Sequence, residues 1–485
     1  MSGSRHFAVV EGRQVLYRRF GEGPAVFVLH GSPQASRAVI AVAEACAARG
    51  LCAIAPDTPG AGMSDPLPGE RPTSADYARH LHGLADVLGL KRVGLYGFHT
   101  GAATACAFAG LFPDRTAAVA LEGLPAWTED ERADFTANYL PSFQPSWDGS
   151  HMAWLWARME EQVVFFPWSS PTPGARMRYP VTLKEGVHAN CMDLLDAGDS
   201  YRAVYQAAFD FRLAEWLPRL AAPALIATTE FDVLREHLER PEMAGRGRAF
   251  AGLPEMQAAV ADHLGGHPGD AAPPAPDLPD RGFVEVGGET LAWRASTGKG
   301  QPVLRLHAAG ERSVVPVEAD RPVITLDLPG HGDSAEGWAA PIYGLEAWTA
   351  PVATALDRLG RDDLTAEGAG IGGHIALALH QQGRARAAHA TGPGYGPQPA
   401  AGFGSVSLAP EWDGAHLVRA WRIARWEGLY SPWHDRVPAQ ARTPFETLDP
   451  ASIHRRAVGL LKAHDRWLAA ATLEGQLSAV APNVR

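Results

Sequence analysis

His99 stands at the centre of Gly97-Phe98-His99-Thr100-Gly101. Before it runs Arg92-Val93-Gly94-Leu95-Tyr96, which reads as a short buried strand. After it comes Ala102-Ala103-Thr104-Ala105-Cys106-Ala107-Phe108, which reads as the small-residue start of a helix. Glycines two residues to either side let such a turn bend sharply and lift the central side chain above a sheet. They stand there because the bend leaves no room for Cβ atoms. An imidazole so presented can act as a nucleophile, forming an acyl-imidazole that water hydrolyses readily. It can also act as a general base, because a pKa near ~6.5 lets it take a proton from water or from a carbon beside a carbonyl at neutral pH. The plainer alternative is that His99 fills the turn of an inactive site.

Three further segments surround this turn. Val26-Phe27-Val28-Leu29 leads into His30-Gly31-Ser32-Pro33. Ala53-Ile54-Ala55-Pro56 leads into Asp57-Thr58-Pro59-Gly60-Ala61-Gly62-Met63-Ser64. Far downstream, Pro223 to Thr229 leads into Glu230-Phe231-Asp232. Their order and content resemble the α/β-hydrolase family, in which serine, cysteine or aspartate usually occupies the turn. The resemblance implies an α/β fold, a mostly parallel sheet flanked by helices under a helical lid. It also implies that the backbone N–H groups of Ser32 and Thr100 form an oxyanion hole, and that the late strand carries an acid, Asp232, with Glu230 as the alternative. The family's late Gly-His is missing, since Arg248-Ala249-Phe250-Ala251-Gly252-Leu253-Pro254-Glu255 has no histidine. The chain is similar in this to a subgroup with an H-T-G turn. A long side chain at position 99 can then span the gap itself, giving a His99–Asp232 dyad in which Asp232 fixes the tautomer. His237 is the competing source of the absent histidine, but Leu234 to Arg240 reads as a charged helical stretch with His237 on its surface.

The elements that position these groups carry other histidines. His30 is expected to brace its loop. His80 and His82 fall on an amphipathic helix from Tyr77 to Leu90 and read as surface residues. A lid is expected over about 127–217, rich in Trp147, Trp154, Trp156, Phe165, Phe166 and Trp168. These aromatics form its core or line an apolar, ring-accepting pocket. His151 and Trp154 are the candidate substrate contacts, although Asp148 and Gly149 also suit a turn or cap that would make His151 structural.

The second half repeats the first. Asp327-Leu328-Pro329-Gly330-His331-Gly332-Asp333-Ser334 matches the segment at Asp57, Gly368-Ala369-Gly370-Ile371-Gly372 matches the turn at His99, and Trp412-Asp413-Gly414-Ala415-His416 matches Trp147 to His151, each about 270 residues on. Landmarks at a nearly constant offset point to a tandem duplication. The expected organisation is an α/β-hydrolase-like domain over 1–264, a Pro/Gly linker over 265–280 that is semi-rigid and exposed, and a degenerate copy over 281–485. That copy has Gly370 where a reactive side chain belongs and stops before any counterpart of Asp232. An unfinished sheet exposes an edge, so the halves are expected to dock as an intramolecular pseudo-dimer, with a homo-oligomer as the alternative cover.

Composition narrows the class. The 485 residues are 46% hydrophobic and 20% charged with a formal net charge of −11. That balance argues against nucleic acid or an anionic membrane as partner. No signal-peptide core or spanning apolar run is evident. Cys46, Cys52, Cys106 and Cys191 lack metal-ligand spacing and read as reduced core residues, consistent with a cytoplasmic protein. No phosphate loop, Cys-x-x-Cys or His-Glu-x-x-His motif appears, so no cofactor or metal is expected. The leading expectation is a cofactor-independent hydrolase acting on an ester, lactone or related acyl bond of a small apolar or aromatic carbonyl compound. The rivals are a lyase or isomerase that uses His99 for proton transfer, and an inactive binding or scaffolding protein.

Overall fold

The computed structural model describes residues 3–178, 183–315, 320–336, 338, 342–391, 406–443 and 448–480. The chain forms two compact units, one of residues 1–144 and 157–276, the other of residues 145–156 and 277–485.

In the first unit, β1 (Ser4–Val10) and β2 (Arg13–Phe20) make a hairpin. They are followed by β3 (Ala25–Leu29), β4 (Cys52–Pro56), β5 (Val93–Phe98), β6 (Thr116–Glu122), β7 (Ala224–Thr229) and β8 (Gly247–Phe250). The sheet order is β1-β2-β4-β3-β5-β6-β7-β8, and every pairing from β4 to β8 is parallel. Strands covered on both faces read as nearly continuous apolar runs, and β3, β4 and β6 are buried throughout. Alternate side chains serve opposite layers. Phe27, Leu29 and Leu95 pack with the helices Ser74–Val87 and Thr100–Leu111. Val26, Val28 and Tyr96 pack with the helices Ile40–Ala47 and Leu253–Gly266. Each fully buried Val, Leu or Phe contributes on the order of 1.5–3 kcal/mol, so the sheet centre is a rigid platform.

Local chemistry changes several expectations. The helix expected from Tyr77 begins at Ser74, because Thr73 and Asp76 form a reciprocal capping box that satisfies two otherwise unpaired N–H groups. His80 and His82 are not surface residues. His80 is 7% exposed on the face that packs on the sheet, and burial lowers its pKa to about 4. His82 is half-buried, with its ring stacked 4.2 Å from that of Phe112. The linker also begins later than expected. The helix Leu253–Gly266 runs into it, and residues 269–273 lie along the first unit as a strap. Ala25 N–H donates to Asp270 O (2.9 Å), Asp270 N–H to Arg92 O (2.8 Å) and Ala272 N–H to Gly23 O (2.8 Å). All four cysteines are unpaired and buried.

The second unit holds β9 (Arg281–Val286), β10 (Glu289–Ala295), β11 (Val303–Leu306), β12 (Val323–Leu326), β13 (Thr365–Ala369) and β14 (Ala387–Thr391). Their order, β9-β10-β12-β11-β13-β14, follows that of β1 to β6, and among the described residues no strand comes after β14. Residues 145–156 pack within this unit, which differs from a lid wholly contained in the first domain. The repeated Trp-Asp-Gly-x-His motif explains why. A Cβ on Gly149 would lie 2.2 Å from the Trp421 ring, and one on Gly414 would lie 2.3 Å from the Trp156 ring. Each glycine thus makes room for a tryptophan on the helix that follows the other motif, Ala415–Glu427 or Ser150–Val164. His151 meets Trp421 edge-on at 4.5 Å, and His416 meets Trp156 edge-on at 5.1 Å. His151 Nδ1 accepts from Ser146 N–H and His416 Nδ1 from Glu411 N–H, both at 3.2 Å. Among the described residues no helix is long and apolar enough to cross a membrane.

Candidate active site

The turn after β5 has the geometry that its glycines require. A Cβ on Gly97 would meet Gly101 O at 2.2 Å, and one on Gly101 would meet Leu29 O at 2.5 Å. His99 itself adopts φ 47°, ψ −104° at the start of the helix Thr100–Leu111. Such a backbone is uncommon for a non-glycine residue and clusters at functional positions. His99 N–H donates to Glu122 O at 2.9 Å, which ties the turn to the end of β6.

The side chain of His99 meets Asp232 in the loop after β7. Its Nε2 lies 3.1 Å from each carboxylate oxygen. Leu234 N–H donates to Asp232 Oδ1 at 2.7 Å and holds the carboxylate in place. The Asp232 side chain is 2% exposed, whereas that of His99 is 24% exposed. An acceptor at Nε2 fixes the hydrogen there and leaves the Nδ1 lone pair for chemistry. Burial alone would disfavour the imidazolium, but the negative charge of Asp232, its hydrogen bond and the nearby Glu122 outweigh burial and raise the pKa of the ring. Glu230 plays no part in this pair. It is exposed and bound to Arg235 at 3.1 Å.

Glu122 was not singled out from the sequence, nor was Tyr96. Tyr96 hydroxyl donates to Glu122 Oε2, and both side chains are buried. Burial, with the negative Asp232 nearby, pushes the Glu122 carboxyl up to about 7. The available signal was a lone carboxylate ending a strand whose preceding residues, Ala117 to Leu121, are all apolar, in register with Phe98 beside the turn.

The remaining parts surround a cavity of about 480 Å³, lined by Ser32, His99, Thr100 and Glu122 and by the aromatic rings of Phe98, Trp127, Tyr139, Phe166 and Phe209. The first turn of a helix leaves its leading N–H groups without intrahelical acceptors, and Thr100 opens the helix here. Ser32 Oγ is buried at the cavity without a protein hydrogen-bond partner. His30 braces this loop, its Nε2 accepting from Thr58 N–H at 2.9 Å. No arginine or lysine lines the cavity among the described residues. Nor do the described residues hold a cluster of three or more His, Cys, Asp or Glu arranged for a metal ion.

Two expectations fail here. His151 and Trp154 do not line this cavity, because residues 145–156 pack in the second unit. His237 is not on the surface. The 3₁₀ turn Arg235–Glu239 aims it inward, 4.8 Å and edge-on from Trp127, and its Nδ1 accepts from Ala126 N–H at 3.0 Å. Burial, aided by Arg240, lowers its pKa to about 3, so it is a neutral brace.

Residues 24–151 match the family model described as alpha/beta hydrolase fold, and the sheet order of the first unit, with its turn after β5 and acid after β7, is that fold. The chain is 33% identical over 135 residues to an uncharacterized protein of Mycobacterium tuberculosis, covering 28% of this chain and 39% of that protein. It is 36% identical over 129 residues to a 2-hydroxy-6-oxononadienedioate/2-hydroxy-6-oxononatrienedioate hydrolase of Pseudomonas putida, covering 25% and 45%. The chain thus spans less than half the length of these relatives. Among solved structures it is similar to epoxide hydrolase A of Mycobacterium thermoresistibile (21% identity, TM-score 0.42, 54% of this chain and 98% of that one). It is also similar to a mutant epoxide hydrolase of Vigna radiata (16% identity, TM-score 0.43, 54% and 98%).

Proposed function

We propose that the first unit is a cofactor-independent hydrolase for an ester, lactone or related acyl bond of a small, uncharged carbonyl compound with an apolar or aromatic body. The observation that carries this reading is the His99–Asp232 pair at an aromatic-lined cavity. Nδ1 of His99 takes a proton from water as the water oxygen attacks the carbonyl carbon. Asp232 stabilises the imidazolium so formed, and the N–H groups of Thr100 and Ser32 hold the developing oxyanion. Collapse of the tetrahedral adduct breaks the acyl bond, and the leaving group receives the proton from His99. Among the described residues the cavity lining is aromatic and carries no lysine or arginine, which favours a substrate without carboxylates. Conversely, Glu122, a second proton-holding group in the same cavity, supports the other reading, a lyase or isomerase in which His99 removes a proton from carbon and Glu122 delivers one. We also propose that the two units arose by tandem duplication, the second having lost the reactive side chain, and that the protein works in the cytoplasm.

The test is a panel of neutral aryl esters and lactones, assayed with His99→Ala and His99→Ser. Loss of a general base lowers turnover on the order of 10²–10⁴-fold. Both variants should show that loss with unchanged folding, because serine at 99 lacks a base to activate it. A His99→Ala variant as active as the parent would overturn the reading, and so would parent protein inert toward every member of the panel.

A further inference from the structure

The turn after β13 has the same backbone form as the turn at His99, yet something else stands above it. Gly370 adopts φ 53°, ψ −126° at the start of the helix Ile371–Gln381. The flanking glycines are equally crowded, since a Cβ on Gly368 would meet Gly372 C at 2.2 Å and one on Gly372 would meet His307 O at 2.6 Å. Into the space where a side chain of residue 370 would begin comes Glu474, from the helix Asp465–Val480. A Cβ on Gly370 would lie 2.4 Å from Glu474 Oε2, 2.8 Å from its Cδ and 3.1 Å from its Oε1. Ile371 N–H donates to Oε2 at 2.9 Å. Ile371 occupies the position that Thr100 holds in the first unit, directly after the residue at the turn.

A fully buried carboxylate is costly unless it is bound by donors, and Glu474 is 0% exposed. It sits on the leading N–H of an eleven-residue helix, where the unpaired donors and the positive end of the helix dipole both favour a negative group. One turn further along the same seam, His374 Nε2 and Ser478 Oγ lie 3.3 Å apart, so the two helices are held in register around the contact. We propose that the elbow of the second unit is a carboxylate-binding site whose resident ligand is Glu474, so that this unit is stoppered by its own side chain. Gly370 and Glu474 then form one device. The carboxylate fits only because residue 370 lacks a Cβ, and no outside carbonyl compound can enter while Glu474 is seated. The inference does not depend on the reaction assigned to His99.

A double-mutant cycle in the full-length protein tests it, read by melting temperature. Gly370→Ala in the parent meets both an unfavourable backbone and the carboxylate, whereas in an E474A background only the backbone cost remains. The second loss should be clearly smaller than the first. Glu474→Ala alone should lower the melting temperature, and formate or acetate at tens of millimolar should restore part of the loss, beyond what chloride does at equal ionic strength. E474A/G370A should show no such restoration, because the new Cβ takes the space. If E474A does not accumulate as folded protein, Glu474→Asp withdraws the carboxylate by one methylene, and Gly370→Ala should be better tolerated there than in the parent. Additive losses in the cycle, or carboxylates no better than chloride, would overturn the proposal.

Discussion

Gly123→Ala tests what holds the His99 ring on Asp232. Gly123 follows Glu122 at the end of β6 with φ +58°, and its missing Cβ would lie 2.3 Å from His99 Cδ2 and 2.6 Å from Nε2. Ordinary carbon contacts run about 3.5–4.0 Å, so an added methyl must displace the ring by about 1 Å or more. The hydrogen bonds at 3.1 Å to Asp232 do not survive that shift. An L-residue in a left-handed backbone costs about 1–2 kcal/mol, and overpacking costs about 1–3 kcal/mol. A ring that yields relieves part of the second cost, so the net loss should be ~2–4 kcal/mol. At about 2–4 °C per kcal/mol for a unit of this size, the melting temperature falls by roughly 5–15 °C. Turnover falls further, since a misplacement of about 1 Å at a reacting group costs on the order of 10²-fold. Gly12→Ala supplies the control. Gly12 has φ +79° with nothing within 4 Å of its added Cβ, so it isolates the backbone cost. Melting curves and kcat/KM for both variants decide the matter. A Gly123→Ala protein with parental kcat/KM and no more thermal loss than Gly12→Ala would refute the claim that the ring must rest on this glycine to work.

Two further outcomes follow from the charges. Asp232→Asn removes the main influence that raises the pKa of His99 and leaves burial, which lowers it. A general base must be neutral, so the acid limb of the kcat/KM profile should move to lower pH while the plateau drops, and an unmoved limb would show that the two groups are uncoupled. The Glu122 carboxyl titrates at about 7 in the fold against an ordinary 4.5. Between those values the folded chain keeps a proton that the unfolded chain has lost. Its stabilising share is therefore complete below the lower value and is lost as pH rises through the upper one. Glu122→Gln should flatten the decline in melting temperature between about pH 4.5 and 7, and a parallel decline in parent and variant would contradict this.

How much of this was legible in the sequence depends on how local the cause was. The turn at His99 could be read because its glycines answer to steric crowding within five residues, whereas Asp232 was reached only through the family resemblance of the segment that carries it. Glu122 and Tyr96 escaped because their pairing comes from neighbouring strands whose register no local pattern states. His80 and His237 were misplaced for a related reason. Each sits in a charged, helical-looking stretch, and only packing reveals that the histidine faces inward. Helical period alone does not decide this when a polar ring lies at the edge of the apolar stripe. His151 and Trp154 were placed at the cavity wrongly for another reason, because the space that Gly149 leaves for Trp421 commits residues 145–156 to the second unit.

The two elbows together argue that what the fold supplies is a place and what the side chains supply is its use. Both turns hold the central residue at nearly the same positive φ, 47° at His99 and 53° at Gly370, and both open a helix whose first N–H can receive a negative oxygen. At Ile371 that donor is spent on Glu474. At Thr100 the corresponding position borders a cavity of about 480 Å³, and the space above the turn is filled by an imidazole bound to its own carboxylate. A histidine kept only to plug a vestigial site would need no buried, backbone-held aspartate behind it, and a buried carboxylate such as Asp232, 2% exposed, is expensive unless something repays it. The second unit shows that such a turn can be closed with one glycine and one glutamate. That the first unit instead keeps a partly exposed imidazole, an aspartate and an open aromatic cavity is the reason to assign chemistry to His99.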